Sequence, residues 1–169
     1  MTRASGRSRS IIAIAAGSLA WGCLYGFAGG GLPSHIRTVA ILPFDNQTSQ
    51  QGLEQEVRQA LQEALQGRLG LRQSGEATAD AVVRGTITRY ESDIPLSFQT
   101  VQGTVAVTRR RVQMTLEVEI YDVRQSKTLW KRSGFTVDGE YNPPQQTEGR
   151  KLALEKMIND IVDGAQSQW

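Results

Sequence analysis

The sequence predicts an α+β fold, a two-layer sandwich in which two helices cover one face of a four-stranded sheet. Apolar and polar residues alternate strictly from Val112 to Tyr121, which is typical of a strand with one covered face. Two other segments, at about 50–68 and about 145–165, space their apolar residues three and four positions apart, as amphipathic helices do. With the apolar runs between them, these patterns predict the element order β-α-β-β-β-α.

The first half of the domain is predicted to hold a strand, a helix and a second strand. Residues 36–44 are β-branched and apolar, which is typical of a buried strand. Turn-forming residues at 45–49 precede the first helix, and we expect Gly67 or Gly70 to end it. Residues 79–91 alternate between apolar and polar side chains and predict the second strand.

The second half is predicted to hold a loop, two long strands and the last helix. Residues 92–103 contain Pro95, which favours a loop because proline cannot donate a hydrogen bond to a sheet. The long strands are expected at about 104–123 and 128–140. A pair of prolines at 143–144 is expected to break the sheet before the last helix.

The N-terminus has the three-part order of a bacterial secretion signal. Residues 1–10 are basic and polar, and residues 11–21 are apolar and uncharged. The apolar segment has about one-half to two-thirds of the length that a membrane-spanning helix needs. Gly22 and Cys23 follow, and a cysteine directly after the cleavage site is typical of a lipoprotein, so we predict that Cys23 is acylated.

This interpretation divides the chain into three parts. A lipoprotein signal peptide is predicted at 1–22, an acylated cysteine with a Gly-rich tether at 23–35, and a single domain at 36–169. Two alternatives stay open, an uncleaved membrane anchor within residues 11–34 and ordinary secretion with a free thiol. In the lipoprotein interpretation, the lipid holds the domain at the membrane.

Composition argues against several classes of function. Outside residues 1–22 the chain has 16 basic residues and 17 acidic ones, so it lacks the excess of positive charge that nucleic-acid binding needs. One cysteine cannot form an intramolecular disulfide, and a single histidine, His35, cannot supply a Cys/His zinc site. Glu117 and Glu119 share one strand face, but we interpret them as part of a solvated surface. No cofactor, metal site or enzymatic activity is predicted.

The densest positive cluster is the run Arg109, Arg110 and Arg111. On a strand, Arg109 and Arg111 share one side, whereas Arg110 faces the other. Because arginine binds phosphate groups strongly, the run is a candidate contact for a phosphorylated glycolipid. The alternative is that these charges protect an edge strand from aggregation. The aromatic residues Phe98, Tyr121 and Trp130 are expected either to contact a partner or to pack in the core.

Several segments resemble the LptE family, over nearly all of residues 23–169. The predicted mature start, Cys23-Leu24-Tyr25-Gly26-Phe27, is similar to the Cys-Gly-Tyr-x-Phe opening of that family, with Leu24 where glycine is common. The other matching segments are Leu32-Pro33-x-His35-Ile36-x-Thr38-Val39-Ala40-Ile41-x-Pro43-Phe44-x-Asn46, Leu53-Glu54-x-Glu56-Val57, Ala60-Leu61, Ala79-Asp80-Ala81-Val82-Val83-x-Gly85-x-Ile87, Leu129-Trp130 and the terminal helix.

The resemblance implies an outer-membrane lipoprotein of lipopolysaccharide transport, facing the periplasm. LptE-like proteins form a plug inside the LptD β-barrel, help it to assemble and contact lipopolysaccharide. The partners implied are therefore an LptD-type barrel, lipopolysaccharide and, through the lipid, the outer membrane. The family's ligand residues are not marked by a motif that aligns here, so Arg109, Arg110 and Arg111 are candidates from charge alone.

Two other functions stay open. The apolar strand at 36–44, followed by an Asn-containing turn and a helix, also occurs in lipoproteins of the CsgG and penicillin-binding-protein-activator kind. Such a protein would be a secretion-pore subunit or a regulator of a cell-wall enzyme. A free-standing carrier of lipid or glycolipid would need a sizeable apolar cavity, for which a two-layer domain of this size leaves little room.

Overall fold

The computed structural model describes residues 32–101 and 103–167, which fold into a mixed β-sheet with two helices. The helices are α1, Leu53–Leu69, and α2, Gln146–Gln166. The strands are β1, Thr38–Ile41; β2, Asp45–Asn46; β3, Arg72–Gln73; β4, Ala81–Val101; β5, Thr104–Asp122; and β6, Lys127–Tyr141. Within the described residues, neither helix combines the length and the hydropathy that crossing a membrane requires.

The sheet has six strands, so the prediction of four was wrong, whereas the α+β class and the two helices are confirmed. The strand order is β3-β1-β4-β5-β6, and β2 pairs with β4. Strands β1, β2 and β3 join the sheet in parallel pairs, while β4, β5 and β6 pair antiparallel. The two strands that sequence analysis missed, β2 and β3, have two residues each, too few for a periodic pattern.

The loop predicted at 92–103 was also wrong, because β4 continues through Pro95 to Val101. Pro95 pairs opposite Arg110 of β5, beside an irregularity in the strand register. Proline is tolerated at such a place because it needs no partner for the missing N–H. The result is a long β4–β5 hairpin in place of two strands joined by a flexible connection.

One face of the sheet forms the core with both helices. The core face of β4 and β5 presents fully buried side chains such as Val83, Ile87 and Leu116, and α1 and α2 cover them with Leu61 and Ile161. Burying such side chains is the main source of stability, at about 1.5–3 kcal/mol for each large one. A small second cluster, Ala40, Ala79 and Val82 with Leu42, lies apart from this core.

The ends of α1 are set by glycines. The helix begins after Gly52, whose φ of 80° places it in the left-handed region, and ends before Gly70, whose φ is 65°. Gly70 donates its N–H to carbonyl oxygens of the last turn, a common helix ending. Gly67, the other predicted terminator, lies inside the helix.

Helix α2 packs so closely on β6 that glycines are required at the contact. A Cβ added to Gly139 of β6 would overlap the backbone carbonyl oxygen of Gly149 in α2. A Cβ on Gly164, further along the helix, would overlap the indole ring of Trp130. This close packing fixes the position of α2 along the outer strand of the sheet.

Candidate functional site

The hairpin of β4 and β5 extends beyond the rest of the sheet. Strand β6 ends at Tyr141, which pairs with Arg110, and β1 and β2 pair with β4 only as far as Ile87. Beyond these points β4 and β5 pair with each other alone. We call this two-stranded part, residues 97–101 and 104–109, the ribbon. At its tip Gly103 takes a φ of 79° to reverse the chain.

Phe98 and Trp130 have opposite surroundings. Phe98 pairs with Val107 in the ribbon and is 61% exposed, whereas Trp130 is buried in the core. Val105, two positions from Val107 on the same strand, is 64% exposed. The ribbon tip therefore carries apolar side chains at the surface, which is unusual for a domain whose other large apolar side chains are mostly buried.

The sheet face opposite the helices is polar and held by cross-strand ion pairs. We call it the open face. Arg84 lies 2.9 Å from Glu119, which also accepts a hydrogen bond of 2.7 Å from Thr128. Lys131 lies 2.8 Å from Glu117. Both glutamates thus lie in cross-strand ion pairs on the polar face that sequence analysis expected to be solvated.

The charges of the open face stabilise one another. The hydrogen bond from Thr128 is the main cause that holds the pKa of Glu119 below its usual value, and Arg84 adds to it. Lys131 lowers the pKa of Glu117, and the pKa of Lys131 is raised in return. A general acid needs a carboxyl pKa that is raised toward neutral pH. The pKa values of Glu117 and Glu119 are lowered instead, so this network is suited to a polar contact surface.

The arginine run lies at the base of the ribbon. Arg109 forms an ion pair with Glu140, and Arg110 forms one with Asp93. Arg111 has no carboxylate within 4.0 Å among the described residues, and its Nε is a buried donor without a partner there. Of the three predicted phosphate contacts, Arg111 is thus the one whose charge is not already paired.

The three arginines divide between the two faces of the strand. Arg110 pairs with the buried Tyr141, while Arg111 pairs with the exposed Glu140 of the open face. Tyr141 donates its hydroxyl proton to the Ser92 carbonyl at 2.8 Å. These contacts fasten the ribbon base to the end of β6.

Two buried carboxylates hold the opposite end of the sheet, where the chain enters the domain. Asp122 is fully buried and lies 2.6 Å from Nε2 of His35. Burial raises the pKa of Asp122, but hydrogen bonds from the Gln125 N–H and from His35 outweigh that effect, so the pKa lies below its usual value. Asp80 accepts three hydrogen bonds from Arg37 and Thr38, which come shortly after His35 in the chain.

Sequence analysis missed the roles of Asp80 and Asp122. The signal for both is an acidic residue at the border of an apolar run, in Ala-Asp-Ala-Val-Val and in Ile-Tyr-Asp-Val. Buried carboxylates of this kind need hydrogen-bond donors, and only the folded chain shows which ones they find.

The structure adds little about the predicted acylation site or about other candidate sites. Cys23 and the predicted signal peptide at 1–22 lie outside the described residues. In the part of the chain that is described, His, Cys, Asp and Glu side chains form no group of three or more that could hold a metal ion. An open groove of about 540 Å³ lies between α1 and α2, with Ala60, Ala64 and Leu154 among its lining residues.

Comparison with solved structures shows the fold. Protein XCC0632 of Xanthomonas campestris, of family DUF330, matches 82% of this chain and 91% of its own at 9% identity, with a TM-score of 0.56. A PelC variant of Paraburkholderia phytofirmans, described as a dodecamer, matches 82% of this chain and 94% of its own at 14% identity and a TM-score of 0.51. The hypothetical protein CT253 of Chlamydia trachomatis matches 78% and 99% of the two chains at 9% identity and a TM-score of 0.51.

Comparison with known sequences gives the family. No curated protein matches the chain. The model of the family LptE, described as lipopolysaccharide-assembly, matches residues 36–168, which is nearly all of the predicted domain. The match confirms the predicted resemblance, and the chain belongs to the LptE family of lipopolysaccharide-assembly proteins.

Proposed function

We propose that this protein is a non-enzymatic lipoprotein of the outer membrane, attached to its periplasmic face through acylated Cys23. In this proposal it acts as the plug and the assembly partner of an LptD-type β-barrel in lipopolysaccharide transport. Membership of the LptE family supports the process, and the geometry of the domain supports the role as a plug.

The observation that carries the proposal is the polar open face. The interior of an outer-membrane barrel is polar, so a protein that fills it needs a polar surface rather than an apolar one. Arg84, Glu117, Glu119 and Lys131 provide such a surface, and each is already neutralised by a partner. Paired charges of this kind are less costly to bring into a confined space than isolated ones.

The length of the sheet also fits a barrel. Strand β5 has 19 residues, which corresponds to about 60 Å at about 3.3 Å per residue. A bilayer with its headgroups is about 40–45 Å thick. A domain held upright in a lumen would therefore extend across the membrane, with the ribbon at one end and His35 at the other.

The tether permits this arrangement. His35 and Asp122 hold the start of the domain at the end of the sheet farthest from the ribbon. Leu32 follows Cys23 by nine positions, so a lipid-anchored cysteine lies within about 30 Å of the domain. We place the tethered end at the periplasmic leaflet and the ribbon at the far side of the barrel.

Within this function, we propose that the arginine run binds the phosphate groups of lipopolysaccharide, with Arg111 as its main contact. Among the described residues Arg111 has no carboxylate partner, and guanidinium groups form strong bonds to phosphate. We expect Arg111→Gln to weaken binding to immobilised lipopolysaccharide by about tenfold. Arg132→Gln, which removes an exposed arginine on β6, is the matched control. Equal binding by the Arg111 variant and the parent would contradict this contact.

Co-purification tests the main proposal. A tagged chain isolated from detergent-solubilised envelopes is expected to bring down a large outer-membrane barrel. We expect Lys131→Glu on the open face to reduce capture, while Lys151→Glu on the exposed side of α2 leaves it unchanged. Recovery of a peptidoglycan synthase or of a secretion pore would overturn the proposal in favour of the other lipoprotein functions.

Mass spectrometry tests the attachment to the membrane. The mature protein is expected to begin at Cys23 and to carry more than one acyl chain on that residue. A single acyl chain would bind a membrane only marginally. Cys23→Ser is expected to leave the protein unacylated. A mature N-terminus that still contains residues 1–22 would contradict the predicted processing.

A further inference from the structure

The tip of the ribbon carries an apolar surface that the rest of the described domain leaves uncovered. Phe98 and Val105 are 61% and 64% exposed, and Val107 lies directly opposite Phe98. Paired residues, and residues two positions apart on one strand, share a face, so these three side chains lie on one side of the ribbon. The other exposed large apolar side chains among the described residues are Val123 and Leu152, and neither belongs to the ribbon.

The charge of the ribbon favours a negatively charged partner. The sequence from Ile94 to Arg111 contains no aspartate or glutamate and ends in three arginines. Even with Asp93 and Glu140 bound to two of them, one positive charge remains in excess. An apolar end followed by arginines is the pattern of a protein segment that enters the interface of an anionic membrane.

We propose that the ribbon tip inserts into the surface of an anionic phospholipid bilayer. Val105 and Arg109 are four residues apart on β5, which corresponds to about 13 Å. Interfacial segments bury their apolar side chains by about 5–10 Å, and each headgroup layer is about 5–8 Å thick. At that depth Phe98 and Val105 reach the acyl chains, while Arg109, which is exposed although it pairs with Glu140, lies level with the lipid phosphates.

The ribbon is then a second point of membrane attachment, about 60 Å from the end that bears the tether. This inference goes beyond the proposed function, because insertion requires neither a barrel nor an acylated cysteine. With the tether and the ribbon tip in the same leaflet, the long axis of the domain lies along the membrane. Such an orientation would hold the domain at the membrane before a barrel receives it.

A fluorescent label at the tip tests the insertion directly. Since Cys23 is the only cysteine, the full chain with Cys23→Ser and Val105→Cys takes one nitrobenzoxadiazole label. A chain with Cys23→Ser and Gln55→Cys, labelled on the exposed side of α1, is the control. Both chains keep residues 1–22, so any membrane binding by that segment is equal and only the depth of the label differs.

We expect vesicles of phosphatidylethanolamine and phosphatidylglycerol to shift the emission of the label at position 105 to the blue. Lipids with a nitroxide near the headgroup are expected to quench it, and the label at position 55 is expected to stay in water. Phe98→Ser should weaken vesicle binding of the tip by about tenfold, while Leu152→Ser should not. Arg109→Gln should weaken it by about fivefold on these vesicles and leave it unchanged on phosphatidylcholine alone.

Three results would overturn the inference. The first is a label at position 105 that stays in water, or that is quenched no more than the label at position 55. The second is a blue shift of the label at position 105 that occurs only when the vesicles contain lipopolysaccharide. The third is a shift that grows with protein concentration without vesicles, because this would show that the ribbon pairs with a second copy of the chain. None of these results depends on capture of a barrel, so the proposed function is tested separately.

Discussion

Replacing Asp80 by asparagine removes the negative charge of a buried carboxylate that accepts several hydrogen bonds and forms an ion pair. Its Oδ2 accepts hydrogen bonds of 2.9 Å from the Arg37 N–H, the Thr38 N–H and the Thr38 hydroxyl. Its Oδ1 lies 2.6 Å from the guanidinium of Arg124. The hydrogen bond from the Arg37 N–H is the largest of several causes that lower the pKa of Asp80 to about 2.

The size of the effect follows from that pKa. The ordinary value is 3.8, and each pKa unit corresponds to about 1.4 kcal/mol. The ionised form of Asp80 therefore contributes about 2 kcal/mol to the free energy of unfolding at neutral pH. Because the folded-state pKa is lowered, this contribution is present above about pH 4 and is lost as the pH falls through about 2. For a domain of this size, 2 kcal/mol corresponds to a Tm lower by about 8 °C.

Urea unfolding of the parent and of Asp80→Asn, followed by circular dichroism between about pH 2 and pH 7, measures the effect. The difference between the two proteins should be about 2 kcal/mol larger at pH 7 than near pH 2, since other carboxylates titrate equally in both. Asp163→Asn, which changes an exposed carboxylate on α2, should change stability by less than about 1 kcal/mol. A difference that does not vary with pH, or one no larger than that of Asp163→Asn, would refute the reasoning.

Three further substitutions test the packing. Gly139→Ala should lower the free energy of unfolding by at least about 2 kcal/mol, because its Cβ overlaps the backbone of Gly149, which cannot rotate away. Gly67→Ala should raise it by about 0.5–1 kcal/mol, since the site is helical with open space around it. His35→Ala should lower it by about 1–3 kcal/mol, because it removes a hydrogen bond to the fully buried Asp122. Urea unfolding at pH 7 measures all three, and a result of the opposite sign for either glycine would contradict the packing described.

Sequence patterns predicted the long elements well. The observed bounds of β5, β6 and α2 lie within one or two residues of those predicted, because alternation and helical spacing repeat many times over these lengths. The same reasoning could not find β2 or β3, whose two residues complete no repeat. Strand β3 pairs with β1 where the chain returns after α1, whereas β2 pairs with β4 before that helix begins.

The candidate site was predicted less well, because it depends on strand register. Alternation placed Arg109 and Arg111 on one side and Arg110 on the other, and the pairing with β6 agrees for Arg110 and Arg111. The sequence could not show that Glu140 and Asp93 neutralise two of the three, since those carboxylates come from other strands. Pro95 argued against a strand, although a proline beside a register irregularity is compatible with one.

The two ends of the sheet differ in how firmly they are held, and this difference bears on both proposals. At the end where the described residues begin, the buried carboxylates of Asp122 and Asp80 bind His35, Arg37 and Thr38, and so hold the first residues of the domain against the sheet. At the other end, the described residues of the ribbon beyond Arg109 pair only with each other, and an isolated two-stranded hairpin is marginally stable in water. Amide hydrogens of Phe98 and Val107 should therefore exchange faster than those of Leu116, and a partner that covers the tip should slow them. Protection by anionic vesicles alone would assign that partner to lipid, whereas protection that requires a barrel would assign it to the complex.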